Sequence, residues 1–110
     1  MSEDFYCDEV LSGKTPVNKV YETERVLAYY HTRPYYEVHI VVIPKKHISS
    51  LLTLEEDDNE LLLELLSVVK KVAAQLVSAY GASRVLTNLG NYQDSEHLHW
   101  HVFFGKQIRE

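Results

Sequence analysis

Apolar positions in the first half of the chain follow the short periods of β-strands. Residues 17–22 and 25–30 are rich in Val and Tyr and are joined by a two-residue polar turn, which predicts a β-hairpin. Residues 38–43 are mostly β-branched and end at Pro44, a pattern typical of a strand buried on both faces. We therefore expect this third strand to be central in a sheet.

The apolar pattern changes at Thr53 to the period of an amphipathic helix. Thr53 and Glu56 have capping-box spacing, acidic residues fill the first turn, and Gly81 stands at the expected C-terminal cap. The spacing predicts a helix of about six turns with one buried face. Its apolar positions are 61, 62, 65, 66, 69, 72, 73, 76, 77 and 80.

Two further strands are predicted after the helix, at 84–89 and 98–104, and a short helix is predicted at 5–12. Strand and helix do not alternate regularly, so the predicted class is α+β: a five-stranded antiparallel sheet with one long and one short helix. We expect a single domain over residues 1–110, because the chain contains no linker-like segment and no repeat.

Composition and charge limit the classes of partner that this domain is expected to bind. Of 110 residues, 45% are hydrophobic and 25% charged, which excludes a disordered chain. The net charge of -5 disfavours broad attraction to nucleic acid or to a membrane, so an anionic ligand needs a local site. The chain has no membrane-length apolar run and no signal-like start, and its single cysteine, Cys7, fits a reducing compartment. We therefore expect a cytoplasmic protein.

Three of the six histidines, His97, His99 and His101, alternate with apolar residues. Alternate side chains of a strand point to the same face, so one face would carry imidazoles while the other packs on the core. A histidine taken singly, such as His31 or His39, is more often a bland surface or core residue. Three histidines on one face are difficult to explain by packing alone.

Two kinds of chemistry use such a row of imidazoles. One is metal binding, in which two neighbours share an ion with a third ligand from Cys7, His47 or Asp94. All three histidines on one metal is unfavourable, because same-face neighbours in a strand lie about 6.6 Å apart. The other chemistry is nucleophilic attack on phosphorus, in which a neutral imidazole attacks and a protonated neighbour binds phosphate.

Four segments together carry a family signature. Residues 97–102 read HLHWHV, residues 41–48 read VVIPKKHI, residues 87–90 read TNLG, and Gln93 stands four positions before the first triad histidine. In order and spacing they resemble the His-x-His-x-His-x-x, Pro-Lys-x-His, Asn-x-Gly and Gln elements of the histidine triad (HIT) nucleotide-binding and hydrolase family. The resemblance extends over about residues 5–106 and implies a HIT-like fold.

The resemblance also implies a mechanism. His99 would attack the α-phosphorus of a nucleoside monophosphate ester or phosphoramidate, giving a nucleotidyl-histidine intermediate that water hydrolyses. His101 and His47 would contact phosphate and leaving group, Asn88 would hold substrate or order its loop, and His97 would support His99. The implied substrate is a purine nucleoside monophosphate derivative, no cofactor is implied, and the implied assembly is a homodimer with one continuous sheet.

The remaining candidate substrate contacts include departures from the family pattern. Asp94, followed by Ser95, stands where the family often has a serine that helps the leaving group depart, so leaving-group preference stays open. His31 lies in the stretch where many members place an acid on the ribose. Gln93 matches the family and completes the set.

Metal binding is a weak alternative by the same resemblance. Some members bind zinc through Cys-x-x-Cys, where this chain has Asp4 and Cys7, so we expect no structural zinc. A weak version of the site would use Asp4, Cys7, His47 and His97.

Other residues near these motifs allow two interpretations. Lys45 and Lys46 are a solvated pair or a local positive field for an anion. The tyrosine pairs at 29–30 and 35–36 fit core and interface better than base stacking.

The sequence thus favours a nucleotide hydrolase or nucleotidyl transferase similar to purine nucleoside phosphoramidases. One alternative is a nucleotide-binding protein without significant turnover, which Asp94 supports. The other is a metal-binding protein with a His-x-His strand site.

Overall fold

The computed structural model describes residues 10–109. Within them, five strands form one antiparallel sheet: β1 Lys19–Glu22, β2 Val26–Tyr30, β3 Tyr36–Pro44, β4 Arg84–Leu86 and β5 Trp100–Gln107. Their order across the sheet is β1-β2-β3-β5-β4. With the helix α1, Asn59–Tyr80, the sheet confirms the predicted α+β class. No helix in this part of the chain has the length and apolarity to cross a membrane.

The predicted central strand is β3. It lies between β2 and β5, and Val41, Val42 and Ile43 are fully buried because both faces of the sheet are covered there. The last two strands differ from their predicted bounds. The strand predicted at 84–89 ends at Leu86, and the strand predicted at 98–104 begins at Trp100 and extends to Gln107.

The long helix begins later than predicted. Two 3-10 turns, at 51–53 and 56–58, precede it, and the second occupies the predicted first turn. Ser50 caps the first of them, since its hydroxyl oxygen accepts from the Leu52 N–H at 3.1 Å and its own N–H donates to the Thr53 hydroxyl oxygen at 3.2 Å. The predicted cap at Thr53 is therefore wrong. The predicted end is confirmed: Gly81 adopts a left-handed φ of 90° and its N–H donates to the Val77 carbonyl at 2.8 Å.

The helix covers one face of the sheet. Its buried side chains pack on residues of β2, β3 and β5 and on Leu98; they are Leu61, Leu65, Val68, Val69, Val72 and Leu76. Val68 was not among the predicted apolar positions, whereas Leu66, Val77 and Tyr80 were and are exposed. The apolar stripe is thus narrower than predicted and slightly rotated.

The opposite face of the sheet has a smaller apolar cluster and carries the candidate site. Leu27, Tyr29, Val41 and Ile43 pack there with Val10. Val10 and Leu11 are helical, and the rest of the short helix predicted at 5–12 lies outside the described residues.

Candidate functional site

The three triad histidines stand where β5 begins. His101 lies within the strand, whereas His97, in a bend, and His99 precede it. The N–H of Leu98 donates to the carbonyl of Ile48 at 2.6 Å, which keeps this segment beside the end of β3. Leu98 is buried beneath α1, as the alternation predicts.

His97 is fully buried, with 0% of its surface exposed. Its Nε2–H donates to the carbonyl of Pro44 at 2.8 Å, which ties the start of β5 to the end of β3. Its own carbonyl accepts a hydrogen bond from the imidazole of His99. The backbone of His97 therefore orients the ring of His99, while the ring of His97 connects the start of β5 to the end of β3.

His99 has its tautomer set by that contact. Its Nδ1 lies 2.7 Å from the carbonyl oxygen of His97, an atom that only accepts, so Nδ1 carries the proton. In the neutral ring, Nε2 then carries the lone pair. Burial lowers the pKa of His99, which favours the neutral form at pH 7. The arrangement leaves a nucleophilic nitrogen on the middle histidine.

His101 has the opposite tautomer because of His39. The N–H of Tyr35 donates to Nδ1 of His39 at 3.1 Å, which places the proton of neutral His39 on Nε2. That Nε2 lies 2.8 Å from Nδ1 of His101, which therefore accepts. His101 is left with its proton on Nε2, as a hydrogen-bond donor. The rings of His99 and His101 are 5.0 Å apart and nearly perpendicular.

The supporting imidazoles are also neutral. Burial, followed by the charge of His99 and then His39, lowers the pKa of His101 to about 3. Burial, followed by His31, lowers the pKa of His39 to about 4. The donor and acceptor roles above therefore hold through the physiological pH range.

His39 is the residue that sequence reasoning missed. In the sequence it is an isolated histidine of a buried strand, and nothing local connects it to the triad. In the sheet, His39 pairs with Phe103 and Val41 pairs with His101, so His39 and His101 become diagonal neighbours. This register is a property of the β3–β5 pairing and could not be read from either segment.

An open cavity lies beside these imidazoles on the face of the sheet opposite α1. Tyr36 stacks on Phe103 at its wall, with ring centroids 4.1 Å apart. The tyrosine pairs serve different purposes: Tyr29 is core, whereas Tyr35 and Tyr36 line the cavity. The full lining is Tyr35, Tyr36, His39, Leu86, Asn88, Asp94, His101, Phe103 and Gln107.

Two predicted substrate contacts, Asn88 and Asp94, are in this lining. Thr87, next to Asn88, donates its hydroxyl hydrogen to the carbonyl of His99 at 2.7 Å, which holds the segment against the triad. Burial is the main influence on the pKa of both His99 and His31, and the carboxylate of Asp94 opposes it at each. Asp94 therefore acts electrostatically on both rings.

The other predicted substrate contacts, His31 included, lie outside the lining of this cavity, as does His99. Gln93 donates its amide hydrogen to the carbonyl of Ser49 at 2.5 Å and so secures the loop before the triad. Ser95 is buried. His47 is exposed, with its ring edge-on to His97 at 5.2 Å. Asp4 and Cys7, members of the weak zinc alternative, lie outside the described residues.

The two lysines after β3 are paired with carboxylates. Lys45 contacts Glu22 at 2.6 Å, and Lys46 contacts Asp58 at 2.8 Å. These partners largely offset the positive field considered for Lys45 and Lys46. A phosphate in the cavity must rely on other groups.

His31, His39 and His101 are the described residues best placed to hold a metal, with one ligand atom each within 4.8 Å of the others. Their hydrogen bonds oppose this use. Nδ1 of His31 accepts from the N–H of Arg33 at 3.0 Å, and Nδ1 of His39 accepts from a backbone N–H as well. Metal-bound histidines usually donate from the second ring nitrogen. The rings as arranged offer protons where a metal would need lone pairs.

Comparison with known proteins identifies the family. The HIT domain family matches residues 12–108. An uncharacterized HIT-like protein from Synechococcus elongatus is 36% identical over 109 residues, covering 98% of this chain and 96% of that protein. A HIT family hydrolase from Legionella pneumophila is 30% identical, with a TM-score of 0.81 and 96% of each chain covered.

A third match is a hypothetical histidine triad nucleotide-binding protein from Sulfolobus tokodaii. It is 34% identical, with a TM-score of 0.78, covering 91% of this chain and 67% of that one. The matches in sequence and fold span the strands, the helix and the triad described above. The chain therefore belongs to the HIT domain family.

Proposed function

We propose that this protein is a nucleotide hydrolase or nucleotidyl transferase that acts on the α-phosphate of nucleoside monophosphate esters or phosphoramidates. The observation that carries the proposal is the opposite tautomers of His99 and His101: one presents a lone pair and the other a proton. The Legionella relative is described as a hydrolase, and the Sulfolobus relative as nucleotide-binding. We expect the substrate to be a purine derivative and the protein to be cytoplasmic.

In the proposed reaction, Nε2 of His99 attacks the α-phosphorus and the bond to the leaving group breaks. The leaving amine or alkoxide takes a proton from solvent, which reaches the open cavity. Nε2–H of His101 donates to a phosphate oxygen, where it stabilises the growing negative charge. Water then attacks phosphorus, the bond between phosphorus and Nε2 of His99 breaks, and the proton of the attacking water passes to solvent. The nucleoside monophosphate is released and His99 is again neutral, with its proton on Nδ1.

Turnover of an adenosine phosphoramidate by His99→Ala and His99→Gly tests this proposal. We expect turnover to be lost in both variants while the folded state is retained, since His99 contributes no core packing beneath α1. Wild-type protein denatured and kept at alkaline pH, where the P–N bond survives, should carry an adenylyl group on His99, detected by peptide mass spectrometry. Lys70→Ala, on the exposed side of α1, is the control and should keep full activity. Unchanged turnover in the His99 variants would overturn the proposal.

A second candidate function is nucleotide binding without significant turnover. It is favoured by Asp94, whose carboxylate lines the cavity where it repels an anionic leaving group. Calorimetric binding of AMP with no product by chromatography would support this candidate. Full activity in EDTA would exclude a metal-dependent mechanism.

The proposed assembly is a homodimer formed through β4. This strand is at the edge of the sheet, and all three of its residues are exposed, including Val85 and Leu86. An apolar edge strand is a ready surface for pairing with another chain. The family resemblance implies one sheet continuous across two copies, which requires pairing through an edge strand.

A further inference from the structure

His31 lies within the imidazole cluster although it belongs to a different part of the chain. It follows β2, and its N–H donates to the carbonyl of His39 at 2.8 Å. Its ring centroid is 4.5 Å from that of His39 and 6.1 Å from that of His101, with 21° between the planes of His31 and His101. The catalytic step proposed above makes no use of this ring.

His31 is arranged as a hydrogen-bond donor. Its Nδ1 accepts from the N–H of Arg33 at 3.0 Å, so Nε2 carries the proton of the neutral ring. Burial, followed by the charges of His99 and Arg109, lowers the pKa of His31 to about 4. No group of residues 10–109 forms a hydrogen bond with Nε2 of His31. The ring therefore presents a proton to an acceptor that the described chain does not supply.

Two arginines give this corner a positive charge. Arg109 packs its guanidinium 4.1 Å from the ring centroid of Tyr35 and donates to the carbonyl of Arg33 at 2.8 Å. The charges of both arginines reach His31. Neither arginine forms an ion pair with a carboxylate of residues 10–109, whereas Lys45 and Lys46, which follow β3, both do. Beside His31, the charge of the two arginines is therefore not neutralised by direct contact with a carboxylate of these residues.

We propose that His31, Arg33 and Arg109 form a second anion subsite, next to the triad, that binds a second phosphate group of the substrate. The inference rests on the proposed function and narrows its substrate class to nucleotides with two phosphates. Nε2–H of His31 donates to a phosphate oxygen, and the two guanidinium groups stabilise its charge. Asp94 lines the cavity, and its negative charge repels an anion on the cavity side of His31. The second phosphate therefore binds on the side of the two arginines.

Calorimetry on the full chain tests this subsite with three ligands: AMP, ADP and adenosine 3′,5′-bisphosphate. ADP carries its second phosphate beside the first, and the bisphosphate carries it on the ribose. We expect one of these two to bind at least about tenfold more tightly than AMP, the gain typical of one added charge-assisted contact. The ligand that gains shows where the second phosphate is attached.

Variants identify the groups responsible. His31→Asp should abolish the preference for the second phosphate, because it replaces a donor with a like charge. Arg109→Gln should reduce the preference, and His31→Gln, which keeps an N–H donor, should retain part of it. The control Lys70→Gln removes an exposed positive charge on α1 and should leave the preference unchanged.

AMP separates failure of the subsite from failure of the proposed function. If the wild-type protein does not bind AMP, the proposed function is wrong. If AMP binds and neither second phosphate increases affinity, only the subsite is wrong. A preference that survives in both His31→Asp and Arg109→Gln, in variants whose circular dichroism matches the wild type, would also overturn it.

Discussion

Nε2 of His39 and Nδ1 of His101 are joined by a buried hydrogen bond of 2.8 Å across 62 positions of sequence. His39 is the donor in this bond because its other nitrogen, Nδ1, accepts a hydrogen bond from the Tyr35 N–H. A backbone group of the loop after β2 thereby determines which nitrogen of His101 carries the proton. His39 is a positioning residue that acts on the reaction through His101.

Replacing His39 with Phe should therefore lower kcat about 10- to 100-fold, as expected for loss of a hydrogen bond to a group that meets charge in the transition state. KM should change less, because His39→Phe leaves the proposed phosphate contacts of His99 and His101 in place. The matched variant is His47→Phe, since His47 is exposed and lies outside the cavity lining. A larger loss in His47→Phe than in His39→Phe would mean that the family resemblance predicts the phosphate contact better than the observed geometry does.

The buried imidazoles predict how stability depends on pH. With folded pKa values of about 4 for His39 and about 3 for His101, both rings stay neutral where histidines of an unfolded chain, near 6.5, take up protons. The unfolded state then binds more protons than the folded state. The contribution of these rings to the free energy of unfolding is therefore complete above pH 6.5 and decreases as the pH drops toward 4. Urea midpoints at several pH values measure this slope. NMR titration of the folded protein checks the cause directly. Titration of both rings near pH 6.5 would contradict the prediction.

The elements predicted well are those whose information is local. The β-branched run of β3 and the spacing of α1 each identify their element without reference to the rest of the chain, and Gly81 marks the end of α1 by its own conformation. The N-terminal error at Thr53 has a local cause as well. Ser50–Thr53 and Thr53–Glu56 both have cap spacing, and the hydrogen bonds formed in the folded chain select the first.

The parts that could not be predicted depend on which segments meet. The triad was evident from alternation, but its partner His39 required the register of β3 against β5. The pairing of Lys45 with Glu22 similarly required the folded sheet, in which the end of β1 approaches the end of β3 across β2. A pattern along one segment indicates which face a side chain occupies, and the opposing residue follows only from tertiary structure.

The core beneath α1 supplies a stability prediction with an internal control. Leu65 is 1% exposed and packs on the sheet, whereas Leu63, on the same helix, is 69% exposed. Leu65→Ala should lower the free energy of unfolding by about 2 to 5 kcal/mol, because it removes buried surface and leaves a cavity. Leu63→Ala should change it by less than about 0.5 kcal/mol. Equal effects in urea denaturation would contradict the observed orientation of the helix.

The exposed edge of β4 supplies a prediction about assembly. If two copies pair through this edge, Val85→Lys places two like charges close together across the interface and should weaken dimerisation by at least about tenfold. The fold of each copy should persist, because Val85 is 42% exposed and its backbone pairing with Val102 does not depend on its side chain. Leu52→Lys is the control, since Leu52 is 75% exposed and lies outside the sheet. Sedimentation equilibrium would show a monomer for Val85→Lys and a dimer for Leu52→Lys; a wild-type monomer, or a Val85→Lys dimer as tight as wild type, would exclude pairing through β4.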